Sequence, residues 1–202
     1  MQFNFETAGE QVAALVPYYD ENGGNATKVF TTSGEIFPDP RSVRWILKRM
    51  ARVYAVDLEA LRERYKNYLG IKQGVPLPLS ANVVLVPQKL RRVIVESDGA
   101  GGFVNVCAVE GVDDYTDEEG KFKSTIYLTG GCSLPCVFTR GTVEQRIQKG
   151  HITRERYLYY TAMPSISSAS IVRETESGVE IPPEIFSALG ELIWRLYNYK
   201  DK

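Results

Sequence analysis

Two consecutive helical patterns in residues 39–70 constrain the fold of this chain more than any other feature. From Val43 to Tyr54 the apolar residues recur at i, i+3, i+4 and i+7, which places them on one face of a helix. The Asp-Pro pair at 39–40 predicts the start of this helix, because Asp caps helices and Pro suits the first helical position. Asp57 predicts the cap of a second helix, which ends at Gly70.

Short strands surround this helix pair. Apolar stretches separated by glycine- or asparagine-rich turns predict strands at 10–20, 28–32 and 35–37 before the helices. After the helices, strands are predicted at 83–86, 93–96, 103–109, 122–128 and 133–138, the last two as a hairpin around Gly130-Gly131. We therefore expect an α+β protein with small antiparallel sheets and a central basic helix pair.

The C-terminal third carries further helical signals. Thr142 opens a capping box that predicts a short helix, and Thr153 marks the start of another. The serine-rich stretch 164–170 is the best linker candidate, and Pro182-Pro183 precedes a C-terminal amphipathic helix. We predict one domain at 1–163 and an extension at 164–202, whose apolar helix face serves either as core or as an oligomerisation surface.

The charges are sorted into blocks along a chain whose net charge is −1. Residues 41–92 hold 12 Lys or Arg and three Asp or Glu, a net charge of +9, and the blocks on either side are acidic. Such a distribution gives a basic face on a near-neutral protein, as a nucleic-acid partner requires. The alternative interpretation of the same block is an ordinary solvated helix face.

Within the basic block, the cations of the first helix suit phosphate contacts, which are independent of base sequence. These residues are Arg44, Lys48, Arg49 and Arg52. A second group suits insertion into a narrow minor groove, and it consists of Arg62, Arg64, Arg91 and Arg92. Lys66 and Lys89 complete the predicted DNA-binding set. Docking of a helix-turn-helix into the major groove is a weaker alternative, because the turn between the helices lacks a glycine.

Other chemistry has little support in the sequence. Cys107, Cys132, Cys136 and His151 are possible zinc ligands, but their spacing matches no closed zinc site, and small buried hydrophobes are the preferred interpretation of the cysteines. The chain has a single histidine and no catalytic motif, so we predict that it is not an enzyme and has neither metal nor cofactor. The acidic loop 113–120 is expected to be solvated, and an adaptor protein could read it.

No stretch of the sequence is long and apolar enough for a membrane span, and the N-terminus lacks the pattern of a secretory signal. The chain contains three cysteines. These observations predict a cytoplasmic protein with no membrane partner.

Several short segments occur in an order that is typical of one family. They are Val12-Ala-Ala-Leu-Val-Pro17, Phe30-Thr-Thr-Ser-Gly-Glu35, Val75-Pro-Leu-Pro-Leu-Ser80, Val83-Val-Leu-Val-Pro87 and Thr125-Ile-Tyr-Leu128. In this order, over residues 12–150, the chain resembles the ComK family of bacterial competence transcription factors. The sequence departs from the family at Val86-Pro87-Gln88 and at Phe103, where the family has Phe-Pro-Thr and a Trp.

The resemblance implies a transcriptional activator of genes for DNA uptake. Such a protein binds paired A/T tracts in the minor groove as a homodimer or higher oligomer, and an adaptor delivers it to a Clp protease. Because the helix at 43–54 fits the likeness poorly, the resemblance moves the expected groove contacts to Arg62, Arg64, Arg91 and Arg92. The alternative is a non-enzymatic protein-interaction module on a ComK-like scaffold.

Overall fold

The computed structural model describes residues 3–93, 99–162, 173–175 and 178–180. The chain divides into two compact units, Met1–Tyr159 and Tyr160–Lys202. In the second unit, strands β10 (Arg173–Thr175) and β11 (Gly178–Glu180) pair as an antiparallel hairpin. The predicted strand at 93–96, for all but its first residue, the linker at 164–170 and the C-terminal amphipathic helix lie outside the described residues. The predicted boundary at 163/164 falls there too and stays a prediction.

The other elements follow the chain from the N-terminus. The helices are α1 (Phe5–Ala8), α2 (Val43–Val53), α3 (Leu58–Leu69) and α4 (Arg140–Ala162). The strands are β1 (Val12–Tyr19), β2 (Asn25–Thr31), β3 (Ile36–Asp39), β4 (Leu77–Pro78), β5 (Val84–Lys89), β6 (Gly101–Asn105), β7 (Val109–Asp114), β8 (Ser124–Leu128) and β9 (Cys132–Cys136). The α+β class predicted from the sequence is confirmed.

Two antiparallel sheets organise the first unit. The larger has six strands in the order β3-β2-β1-β6-β5-β4, and the smaller has three in the order β7-β8-β9. Because side chains alternate along a strand, Leu15 and Val29 lie on one face of the large sheet while Phe30 and Val104 lie on the other. Both faces of the large sheet are therefore apolar, and each must be buried against other elements of the fold.

One face of the large sheet packs against α1 and α2, where Ile46 and Met50 are fully buried. The other face packs against the small sheet and the first half of α4, through Ile126, Leu134 and Val143. The six-stranded sheet is thus the middle layer of three. This arrangement leaves the side of α2 that points away from the sheet open to solvent. None of the described helices is long and apolar enough to cross a membrane.

Several local predictions are confirmed and one is corrected. Asp57 caps α3 by accepting hydrogen bonds from the amides of residues 59 and 60, Gly70 ends it, and the hairpin turn at Gly130-Gly131 lies between β8 and β9. The predicted start of α2 at Asp39 is wrong. Asp39 is the last residue of β3, and Ser42 caps the helix by accepting from the amide of Trp45 at 3.4 Å.

Helix α4 corrects a second prediction, because one continuous helix replaces the two short ones expected from Thr142 and Thr153. Gly150, which lies between those two signals, packs directly on the sheet. A Cβ atom added there would lie 2.7 Å from Cγ2 of Val86 and would also collide with Val106. The missing side chain lets the helix backbone approach the sheet closely, so the glycine serves packing and does not interrupt the helix.

Two hairpin turns meet back to back through glycines. Gly34, with φ +87°, follows β2, and Gly130, with φ +81°, follows β8. A Cβ atom on either glycine would collide with the backbone of the other. The two turns therefore touch through their main chains, and this contact joins the large sheet to the small one.

Candidate nucleic-acid interface

Helix α2 presents a cationic face to solvent. Its apolar residues Val43, Ile46 and Met50 point into the core, and no acidic residue occurs anywhere in the helix. The outward positions define what we call the α2 face, all of whose side chains are exposed: Arg44, Trp45, Lys48, Arg49 and Arg52. Four positive charges and one indole therefore share a single helix surface.

Few carboxylates neutralise this face. Arg49 forms an ion pair with Glu6 of α1 at 2.9 Å, and both side chains are largely exposed. An exposed pair of this kind contributes little to stability and is screened by salt. Among the described residues, no carboxylate forms an ion pair with Arg44, Lys48 or Arg52. The charge of the α2 face is therefore available to an external anion.

A fixed aromatic ring lies at the N-terminal end of the α2 face. The guanidinium of Arg41 stacks on the indole of Trp45, with 3.9 Å from its central carbon to the ring centroid. Asp39, only 1% exposed, holds Arg41 in turn. Its Oδ1 accepts from the Arg41 amide at 2.9 Å and from Nε at 2.6 Å, and its Oδ2 pairs with Nη2. The hydrogen bond to Asp39 raises the pKa of Arg41 above its ordinary value.

Helix α3 carries a more mixed charge. Arg62 and Arg64 are exposed, as the predicted groove contacts require. The Nζ atom of Lys66, however, lies 3.5 Å from Oε2 of Glu63, and Glu59 lies in the first turn of the same helix. Because acids alternate with the cations here, α3 carries a smaller net positive charge than α2 does.

The structure does not leave Arg91 accessible for insertion into a groove. The residue is 8% exposed, and its guanidinium lies 4.1 Å from the ring centroid of Tyr19. Its Nη2 donates to Oδ1 of Asn25 at 2.7 Å and to the carbonyl of Gly99 at 2.6 Å. Arg91 therefore joins three segments of its own chain, and reaching a DNA groove would break these contacts.

Arg92 is also engaged within the chain. It forms ion pairs with Asp117 and, at 2.9 Å, with Glu119, and its guanidinium lies over the ring of Phe122. Lys121 and Arg92 together lower the pKa of Glu119. The acidic loop is thus partly neutralised by Arg92. Lys89, the remaining member of the predicted set, is exposed at the end of β5 beside Phe138.

The turn between α2 and α3 contains no glycine, yet it is tight. Ala55 adopts a left-handed conformation with φ +52°, and the amide of Val56 donates to the carbonyl of Ala51 at 2.9 Å. The absence of glycine, which made a helix-turn-helix the weaker prediction, therefore does not prevent a short turn between consecutive helices.

The structure does not bring the candidate zinc ligands together. Among the described residues, no group of three or more His, Cys, Asp or Glu side chains could hold a metal ion. Cys136 is buried, and this burial raises the pKa of its thiol. Cys132 lies beside the Gly34 carbonyl, while Cys107 is exposed next to Ala81.

Sequence reasoning missed Trp45 and the Asp39–Arg41 pair that orients it. The sequence did contain a signal for Trp45, because an aromatic residue on the outward side of a cationic helix does not contribute to the hydrophobic core. Comparison of the chain with protein-family models, with curated proteins and with solved structures found no match. The resemblance to the ComK family therefore stays a prediction.

Proposed function

We propose that this protein is a DNA-binding transcriptional regulator of ComK type, and that the α2 face contacts the phosphate backbone. The observation that carries the proposal is the exposure of four cations on one helix that contains no acidic residue. Clustered cations bind DNA by neutralising phosphates and releasing the counterions condensed on them. Arg62 and Arg64 of α3 extend the contact.

The finer parts of the proposal rest on the family resemblance. These are the preference for A/T-rich minor groove, the assembly into a homodimer or higher oligomer and the activation of transcription, whereas the cytoplasmic location is expected from the sequence itself. A/T tracts have a narrow minor groove with enhanced negative potential, which attracts arginine. Arg62 of α3, which is exposed, suits that role better than Arg91 and Arg92, whose guanidinium groups have partners in the chain.

Titration of fluorescent A/T-tract and G/C duplexes at several salt concentrations tests the proposal. We expect affinity to fall as salt rises, with a slope of roughly 0.9 in log–log form for each phosphate neutralised. The double variant Arg44→Gln/Lys48→Gln should bind all duplexes more weakly and reduce that slope by about two.

The matched control is Lys28→Gln/Lys123→Gln, which removes the same charge from exposed positions away from α2. It should leave both the affinity and the slope close to those of the wild type. Absence of binding, absence of a salt slope, or equal losses in the two double variants would each overturn the proposal.

A further inference from the structure

Trp45 stands among the cations of the α2 face and belongs to none of the three hydrophobic clusters that the described residues form. Residues three and four apart are neighbours on a helix surface, so Lys48 and Arg49 flank the indole on the next turn. The side chain is 41% exposed. Since α2 is anchored by other residues, holding the helix on the sheet does not account for the indole at this position.

The ring is also held in place before any ligand arrives. The buried carboxylate of Asp39 fixes the guanidinium of Arg41, and that guanidinium covers part of the indole. Oγ1 of Thr27 donates to the Arg41 carbonyl at 2.7 Å and fixes the backbone of the same residue. A planar group that is already ordered loses little conformational freedom on binding a ligand.

The cations around the indole of Trp45 indicate which kind of ligand the ring could bind. An exposed aromatic ring flanked by exposed cations complements a flat, apolar group that is joined to phosphates, and a nucleobase in DNA has this chemistry. In an intact duplex, however, the faces of the bases are covered by stacking. Only a base that has come out of its stack exposes a face to an aromatic side chain.

We propose that Trp45 stacks on an unstacked DNA base while Arg44 and Lys48 hold the neighbouring phosphates. This inference rests on the proposed function and adds a preference to it, namely for DNA that is locally unpaired or easily unpaired. Pyrimidine–purine steps such as TA unstack readily, so the preference agrees with an A/T-rich target.

The experiment uses the full chain carrying Trp194→Phe, which leaves Trp45 as the single tryptophan of the sequence. Three DNAs of equal length are titrated: an A/T-rich duplex, the same duplex with a central two-base mismatch, and its single strand. We expect the mismatched duplex to bind roughly ten-fold more tightly than the intact one, within the range of base–aromatic stacking. Trp45 fluorescence should be quenched on binding.

Variants then test whether Trp45 is responsible for the preference for the mismatched duplex. In a Trp194→Phe background, Trp45→Leu should bring the two duplex affinities to within two-fold of each other and leave the salt slope unchanged. Trp45→Phe should retain part of the preference, because phenylalanine also stacks. Tyr127→Leu, which removes an exposed aromatic ring from β8, serves as the control and should retain all of it. Equal urea midpoints would confirm that the variants are folded.

The outcomes separate the two proposals. Unchanged preference for the mismatched duplex in Trp45→Leu, or binding without fluorescence quenching, would overturn the role of Trp45 and leave DNA binding by α2 intact. If none of the three DNAs binds, the proposed function fails and this inference fails with it.

Discussion

Ala55 and Gly70 occupy the same position in two helix ends that have the same hydrogen bonds, with φ of +52° and +62°. The amide of Val56 donates to the Ala51 carbonyl, and the amide of Ile71 donates to the Lys66 carbonyl. These are the bonds of a helix terminus that favours glycine at the left-handed residue. Helix α3 ends with that glycine, and α2 ends with an alanine in its place.

This comparison predicts opposite effects of reciprocal substitutions. Ala55→Gly should raise the free energy of unfolding by about 0.5–1 kcal/mol, because glycine adopts a left-handed φ without the steric cost of a Cβ atom. Gly70→Ala should lower it by about the same amount. Urea denaturation of the two variants measures both changes. A loss of stability in Ala55→Gly would show that the alanine side chain has an uncompensated packing role.

Gly150 and Gly141 lie in the same helix but in different surroundings, and this difference predicts different responses to alanine. Gly150→Ala should destabilise the protein by about 1–3 kcal/mol, because the added Cβ atom would overlap Val86 and Val106. Gly141→Ala is the matched control, since nothing lies within 4 Å of its Cβ position. It should be neutral or stabilising by up to about 1 kcal/mol, as expected for Gly to Ala in a helix. Chemical denaturation checks both, and equal effects would contradict the close packing of α4.

The raised pKa of Tyr54 predicts that the free energy of unfolding falls at alkaline pH. Burial, together with the negative charge of Glu10, raises the pKa of its phenol to about 12. An unfolded tyrosine titrates near 10, so between pH 10 and 12 the unfolded chain loses a proton that the folded chain retains. This difference favours the unfolded state as the pH rises.

Tyr54→Phe should therefore show a shallower loss of unfolding free energy over this pH window than the wild type shows. Urea titrations at several pH values between 9.5 and 12 measure it. Tyr127→Phe removes an exposed phenol and is the control. Parallel curves for wild type and Tyr54→Phe would contradict the shift.

The contacts of Arg91 within the chain predict that its replacement lowers the stability of the protein but leaves its affinity for DNA unchanged. Arg91→Met should lower the free energy of unfolding by about 1–3 kcal/mol, because Asn25 and the Gly99 carbonyl lose a buried donor. Its affinity for DNA and its salt slope should stay within experimental error of the wild type. Arg62→Gln, at an exposed position, should reduce the slope by about one without loss of stability. A folded Arg91→Met protein with a reduced slope would restore Arg91 to the interface.

The elements that the sequence predicts well are those whose signals are local. The cap at Asp57 and the end at Gly70 depend on bonds within a few residues, and both are confirmed. Asp39 also looks like a helix cap in isolation. Its pairing with Thr27 across β2 and β3 makes it part of the sheet instead, and the cap passes to Ser42.

The candidate site shows the same division between local and distant contacts. Arg91 and Arg92 are adjacent cations that nothing in the neighbouring sequence distinguishes from surface residues. Their partners, Asn25 and Asp117, lie far away along the chain, so only the folded topology reveals that both guanidinium groups are engaged. The periodicity of α2, by contrast, was sufficient to place Arg44 and Lys48 on its outward surface.

The main-chain contact between Gly34 and Gly130 has a consequence for how the sequence can vary. Because each glycine leaves the space that the other turn needs, the first replacement at either position should separate the turns and bear most of the penalty. The second replacement then occurs in a protein whose two turns are already separated, so it should add little further loss of stability. The two positions should consequently show strong epistasis, with a double variant less impaired than the two single variants would suggest. A random library should tolerate few single substitutions at either site, so the two glycines should vary together although they lie 96 positions apart in the chain.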